Sequence, residues 1–152
     1  MRVLLIHGPN LNRLGIRQPE IYGRTTLAEV DQAVTARVHV AGLETVPFQS
    51  NHEGALIDFL QQHLSTAAGV IINPGALTHY GLSLRDALAE ATCPIIEVHL
   101  SNIHARESFR HHSVVAPIAT GQIAGLGWRG YLLAAEWLIE KLAETNSSVA
   151  DD

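Results

Sequence analysis

Arg17 and Tyr22 are the residues of this chain whose types and spacing best suit unusual acid–base chemistry. Both lie in a short segment, residues 15–23, that has a glycine at each end and a proline inside it. A free tyrosine loses its proton near pH ~10, so a phenolate at neutral pH needs a stabilising cation beside it. Arg17 close to Tyr22 therefore predicts a tyrosinate general base on a candidate active-site lid.

Glu97 and His99 form a second pair, spaced two apart within an apolar run that is typical of a strand. Alternate side chains of a strand point to the same face, and a carboxylate in apolar surroundings is costly unless it is paired. The carboxylate fixes the tautomer of the imidazole and favours its protonated form, which makes His99 a competent proton donor. A purely structural buried ion pair is the alternative at this point.

The elements that must position these residues follow from an alternation of short apolar runs with longer segments of helical period. The runs predict five parallel strands, buried on both faces, at residues 3–6, 45–48, 69–72, 94–98 and 114–119. Helices are expected between them, two of which begin after capping boxes, Thr26 with Glu29 and Ser50 with Glu53. Three more helices are expected near residues 82–91, 106–112 and 131–144.

This alternation predicts a single-domain α/β fold, a flavodoxin-like doubly wound sheet with strand order 2-1-3-4-5, at residues 1–145. Residues 146–152 are expected to form a disordered tail. Polar residues follow the predicted strands, at 7–12, 50–52, 73–79 and 97–102. Each such loop alone could serve only as a turn or a helix cap, but together they predict a ligand site at the carboxyl edge of the sheet.

Composition and charge narrow the classes of partner. The 152-residue chain has a formal charge of −5 and no cluster of lysines or arginines, which argues against a nucleic-acid or membrane surface. The single cysteine, Cys93, and an N-terminus without a cleavage-site pattern predict a cytoplasmic location. Sparse charge on an alanine- and glycine-rich chain predicts self-association, with a small molecule as ligand.

The motifs give little support to chemistry that depends on a cofactor. His52-Glu53 is not completed to a His-Glu-x-x-His helix, and no Cys-x-x-Cys pair is present, so no metal site is expected. Lys141 is the only lysine and lies near the C-terminus, which argues against a Schiff base. A ketone substrate would then lose an alpha proton directly to give an enolate, with Tyr22 as base, His99 as acid and Asn10 as an amide donor.

Several motifs together resemble those of the type II 3-dehydroquinate dehydratase family. They are Gly-Pro-Asn-Leu-Asn at 8–12, the loop from Arg17 to Gly23, Asn-Pro-Gly-Ala from Asn73, Thr78-His79, Leu-Arg-Asp-Ala at 84–87, and the run from Glu97 to Ser113. The resemblance spans about residues 3–142. It implies a flavodoxin-like subunit, assembled as a dodecamer of four trimers. The family removes water from 3-dehydroquinate to give 3-dehydroshikimate in the shikimate pathway, without metal or cofactor.

The resemblance also implies a role for each matching residue. Tyr22 would take the C2 proton, Arg17 would stabilise its phenolate and the transition state, and Asn10 would hold the enolate through water. His99, oriented by Glu97, would protonate the departing C1 hydroxyl. The substrate carboxylate would be bound by Asn73, by the amides of Leu100 and Ser101, and by the Ser101 hydroxyl. His79 and Arg110 would bind ring hydroxyls. Asp86 would reach the site from a neighbouring subunit, and Arg106 would add positive potential near the lid.

Two positions depart from the usual pattern of that family: His7, where many members have asparagine, and Gln18, where glutamate is common. Neither removes a catalytic group. Two readings from other classes stand beside an enzyme, namely a non-catalytic small-molecule or nucleotide-binding module and an assembly scaffold. The loop at 8–12 has few free amides for a phosphate, and a scaffold leaves both side-chain pairs without a role. An enzyme is therefore predicted.

Overall fold

The chain folds around one five-stranded parallel sheet. A computed structural model describes residues 1–150, apart from the side chains of residue 146 and residues 148–150. The strands are β1 (Arg2–His7), β2 (Glu44–Gln49), β3 (Ala67–Asn73), β4 (Ile95–His99) and β5 (Gly121–Ala124). They lie in the order β2-β1-β3-β4-β5, and every neighbouring pair is parallel. The predicted flavodoxin-like order is confirmed.

Helices cover both faces of this sheet. They are α1 (Pro19–Tyr22), α2 (Leu27–Val40), α3 (Glu53–His63), α4 (Leu82–Leu88) and α5 (Arg129–Ala150). Alternation along β1 sends Val3 and Leu5 into the core beneath α2 and α5, and Leu4 and Ile6 into the core beneath α3 and α4. All four side chains are fully buried, so two apolar layers hold the sheet rigidly between helix pairs.

One of the two predicted capping boxes is confirmed. The Thr26 hydroxyl accepts from the Glu29 amide, and the Glu29 carboxylate accepts from the Thr26 amide at 2.7 Å. The box at Ser50 is wrong, because Glu53 Oε1 instead accepts from the amide of Leu84 at 2.9 Å. The Leu84 amide lies in the first turn of α4 and has no acceptor within that helix. The Glu53 carboxylate supplies one and thereby links α3 to α4.

The prediction of a strand at 114–119 is wrong, since β5 begins only at Gly121. The Ser113 hydroxyl accepts from the amides of Val115 and Ala116 at 3.1 and 2.9 Å, which turns the chain, and Pro117 then has no amide to offer a ladder. The run instead buries Val115 under α3 and α4. Strands β2 and β5 are also not buried on both faces, because they form the two edges of the sheet.

Helix boundaries differ from prediction mainly toward the C-terminus. The helix expected near 106–112 is a single 3-10 turn, Ser108–Arg110, and α4 ends at Leu88. Helix α5 continues through residues 146–150 of the predicted tail, while residues 151–152 lie outside the described residues. The domain boundary at 145 stays a prediction. Within residues 1–150 no helix combines the length and the apolar character needed to span a bilayer.

Candidate active site

The Glu97–His99 pair lies at the end of β4 and is buried as predicted. His99 Nε2 lies 2.6 Å from Glu97 Oε1, and the two residues are 6% and 0% exposed. The hydroxyls of Thr78 and Ser113 also donate to this carboxylate. Burial alone would raise the pKa of Glu97, but the hydrogen bond and charge of His99 and these two hydroxyls hold the pKa below its ordinary value.

Ionised Glu97 determines which nitrogen of His99 is available for chemistry. A carboxylate accepts only, so Nε2 of His99 carries the hydrogen in this contact and Nδ1 is left for a ligand. His99 lines the pocket at the carboxyl edge of the sheet. When both ring nitrogens carry hydrogen, Nδ1–H can therefore donate to a molecule bound in the pocket.

One pocket brings together most of the residues that the sequence predicts for the site. Besides His99, the predicted residues that line it are Asn10, Arg17, Tyr22, Asn73, His79, Leu100, Ser101, Arg106 and Arg110. Glu97 lies behind His99. Asp86 lies on α4 outside this set, with a side chain 75% exposed and paired with Arg85 at 3.0 Å. Its predicted contribution to a neighbouring subunit stays a prediction.

The Tyr22 hydroxyl accepts a hydrogen bond from Arg106. Nη1 of Arg106 lies 2.9 Å from this oxygen and 3.1 Å from Oγ of Ser101, and the guanidinium carbon is 5.3 Å from the centre of the Tyr22 ring. Arg17 lines the same pocket, but in the part of the chain that the structure describes it makes no hydrogen bond to Tyr22. Arg106 was expected only to add positive potential, so sequence reasoning missed this direct contact.

The loop that carries Asn10 is held close to the loop that carries Asn73. Asn10 adopts a left-handed backbone conformation, φ 71°, and its amide donates to Oδ1 of Asn51 at 2.9 Å. The Gly8 amide donates to the Asn73 carbonyl at 2.8 Å. A Cβ atom on Gly8 would lie 2.2 Å from the carbonyl oxygen of Pro74, so only glycine permits this approach. Two pocket residues are thereby placed by backbone contacts.

His79 has a defined tautomer as well. Its Nδ1 lies 2.8 Å from the carbonyl oxygen of His112, which can only accept, so Nδ1 carries the hydrogen. In the neutral ring, Nε2 is then an acceptor, suited to a hydroxyl group of a ligand. Arg110 has its Nε held by Glu107 at 2.8 Å and still lines the pocket, which leaves its other N–H groups available to a ligand.

A sequence model described as dehydroquinase class II matches residues 1–139, and this match covers every pocket residue named above. The chain belongs to the dehydroquinase class II family. A relative from Roseiflexus castenholzii named 3-dehydroquinate dehydratase is 66% identical over 139 residues, which cover 91% of this chain and 88% of the relative. Another of that name, from Herpetosiphon aurantiacus, is 60% identical over 141 residues, or 93% and 98% of the two chains.

Solved structures of the dehydroquinase class II family share the fold. The type II dehydroquinase from Propionibacterium acnes superposes with a TM-score of 0.88 at 44% identity, covering 91% of this chain and 96% of that one. The one from Butyrivibrio crossotus gives 0.87 at 45% identity, covering 91% and 97%. This chain is thus an enzyme of the dehydroquinase class II family, with the predicted fold class.

Three polar residues of this chain went unpredicted as site residues: His7 and Tyr131, which are fully buried, and Asp31, which is partly buried. His7 drew notice only as a departure from the usual family pattern, although a histidine that ends a buried strand at the polar edge is itself a signal. Within residues 1–150, no three His, Cys, Asp or Glu side chains converge in a way that could hold a metal ion.

Proposed function

We propose that this protein dehydrates 3-dehydroquinate to 3-dehydroshikimate by anti elimination through an enolate. The observation that carries the proposal is the convergence, in one pocket, of Tyr22 under a guanidinium and of His99 backed by buried Glu97. The names of the curated relatives support the substrate. A binding module without catalysis would leave an ionised carboxylate buried beneath His99 at a cost and without a use.

The first step is removal of a proton from carbon by Tyr22. The phenolate oxygen takes the C2 proton, and the C–H electron pair moves into the adjacent ketone to form an enolate. Arg106, whose Nη1 donates to this oxygen, places its positive charge beside the base. Arg17, which lines the same pocket, adds positive charge toward the developing enolate, and Asn10 holds the enolate oxygen through a water molecule.

The second step is loss of the C1 hydroxyl. The enolate reforms the ketone, its electron pair makes the carbon–carbon double bond, and the C1–O bond breaks. Nδ1 of protonated His99 gives its proton to the leaving oxygen, so the departing group is water. Glu97 stabilises the charged ring before this transfer and keeps it oriented. A proton then returns from Tyr22 to His99, through water, to restore the starting state.

The remaining predicted residues bind the substrate. Asn73, together with the backbone amides of Leu100 and Ser101, binds the carboxylate. The Ser101 hydroxyl accepts from Arg106, so its own hydrogen is free to donate to that carboxylate. Nε2 of His79 and the free N–H groups of Arg110 bind ring hydroxyls. Asp86 would reach the site from a neighbouring subunit of a trimer, four of which form a dodecamer.

The experiment follows the conjugated enone of dehydroshikimate by ultraviolet absorbance after 3-dehydroquinate is added. Activity should survive exhaustive chelation and borohydride treatment, because neither a metal nor an imine takes part. Tyr22→Phe should abolish turnover and retain product binding, because only the ionisable oxygen is lost. Tyr80→Phe is the matched control, since Tyr80 is 66% exposed and outside the pocket lining. Normal turnover by Tyr22→Phe, or loss of activity to either reagent, contradicts the mechanism.

The place of the reaction in the shikimate pathway and in the cytoplasm belongs to the same proposal. Expression of the chain should restore growth without aromatic amino acids to a bacterial strain that lacks dehydroquinate dehydratase. Sedimentation of the purified protein tests the dodecamer independently of activity. Failure of the growth test with an active purified enzyme would contradict the pathway assignment alone.

A further inference from the structure

A row of polar side chains, most of them buried, connects α2 with the floor of the pocket. Nε2 of His7 lies 2.7 Å from Oδ1 of Asp31, and Nδ1 of His7 lies 3.1 Å from the hydroxyl of Tyr131. Asn73 is the register partner of His7 on β3, so its side chain lies beside that of His7 on the same face of the sheet, where it can donate to the Tyr131 hydroxyl. His7 and Tyr131 are fully buried, Asn73 is 3% exposed, and only the Asp31 side chain, at 27%, reaches solvent.

The carboxylate at the start of this chain determines the direction of every hydrogen bond. Asp31 accepts only, so Nε2 of His7 is the donor, and in the neutral ring Nδ1 is an acceptor. The Tyr131 hydroxyl therefore gives its hydrogen to Nδ1, and burial, which raises the pKa of this hydroxyl, keeps that hydrogen in place. The oxygen of Tyr131 is then left as an acceptor for the next member, Asn73.

Asn73 is consequently held at both ends of its amide. Its Oδ1 accepts from the amide of Gly75 at 3.1 Å, so Nδ2 is the end of this amide that is left to donate to the Tyr131 oxygen. An amide nitrogen has two hydrogens, so one remains for the pocket that Asn73 lines. The flipped amide would place a carbonyl oxygen toward any anion bound there, which is repulsive.

We propose that His7, Asp31 and Tyr131 are positioning residues that hold the Asn73 amide with its second N–H aimed at the substrate carboxylate. This inference rests on the proposed function, because it takes Asn73 as a ligand of that carboxylate. It assigns binding, rather than a chemical step, to the network. If the network served stability alone, the effect of its substitution on substrate binding would be the same with and without Asn73.

The test is a double-mutant cycle of Tyr131→Phe with Asn73→Ala. Tyr131→Phe removes one oxygen and keeps the ring that packs under the sheet. It should raise KM for 3-dehydroquinate and the dissociation constant of the product by about five- to tenfold, the effect of one lost hydrogen bond, with kcat changed less than about twofold. In the Asn73→Ala background the same change should add less than about twofold, because its target is gone.

Two histidine variants and one aspartate variant extend the test. His7→Asn places an amide oxygen near the position of Nδ1 and should retain product affinity within about threefold, whereas His7→Leu should match Tyr131→Phe. Asp31→Asn, at the partly exposed end, should weaken binding without unfolding the chain. Melting curves of all variants check folding. If a substitution at His7 or Tyr131 prevents folding, product binding by Asp31→Asn tests the inference instead.

Several outcomes overturn the inference. It fails if Tyr131→Phe binds product as the wild type does, or if its effect is equally large with Asn73→Ala. If Asn73→Ala binds product with wild-type affinity, this inference is wrong, and so is the assignment of Asn73 as a ligand of the substrate carboxylate. If Asn73→Ala weakens binding and wild-type protein dehydrates 3-dehydroquinate, the proposed function stands whatever the result at Tyr131.

Discussion

The hydroxyl of Tyr22 and Nη1 of Arg106 lie 2.9 Å apart although 84 positions separate them in the chain. Tyr22 ends the short helix α1, whereas Arg106 follows β4 at the carboxyl edge of the sheet. The same Arg106 nitrogen reaches the Ser101 hydroxyl. One guanidinium thus connects the proposed base with the proposed carboxylate site, so its loss should affect both.

Arg106→Ala should lower kcat by about a hundredfold, because a charge that supports the phenolate and the transition state is removed. Initial rates at saturating 3-dehydroquinate measure this. Arg129→Ala is the control, since Arg129 is exposed and outside the pocket. An Arg106→Ala enzyme within about threefold of wild type would mean that Arg17 alone supplies the charge to Tyr22.

Glu97→Gln should lower kcat by about a hundredfold or more, because an amide does not stabilise the charged imidazole and favours a different tautomer of His99. Product binding should change much less. Glu90→Gln, an exposed substitution of the same kind in the turn after α4, gives the matched control. Equal turnover by the two variants would show that Glu97 is only structural.

Acid should remove the stability that Glu97 contributes. The pKa of Glu97 in the folded state lies below the ordinary value of 4.5, so its contribution is present above that value and is lost as pH falls through the folded pKa. Wild type should therefore exceed Glu97→Gln in free energy of unfolding at neutral pH, and the difference should shrink below about pH 4. Urea unfolding across this range measures it. A difference in free energy of unfolding that grows as the pH falls would contradict this prediction.

Gly8→Ala should destabilise the fold by about 1–3 kcal/mol and reduce product affinity, because the new methyl group overlaps Pro74 and pushes the Asn10 and Asn73 loops apart. A Cβ on Gly54 meets nothing within 4 Å, and Gly54 lies inside α3. Gly54→Ala should therefore stabilise by up to about 1 kcal/mol. Urea unfolding and calorimetry of product binding on both variants test this contrast. Similar effects of the two substitutions would contradict the prediction.

Local patterns carried much of the architecture. Apolar runs predicted the first four strands, although edge strand β2 is only partly buried. The helices between the strands impose parallel crossovers. The strand at 114–119 was misplaced, since Val115 is buried without joining a ladder. An apolar run reports burial and does not by itself report pairing.

What the sequence alone determined is the carboxyl-edge site and the Glu97–His99 contact, because alternation along one strand fixes both side chains locally. Only the tertiary structure decided which guanidinium reaches Tyr22 and that Asp31, His7 and Tyr131 lie in line behind Asn73. These contacts join segments far apart in the chain. Their distances depend on how helices pack across the sheet, which no local pattern of residues specifies.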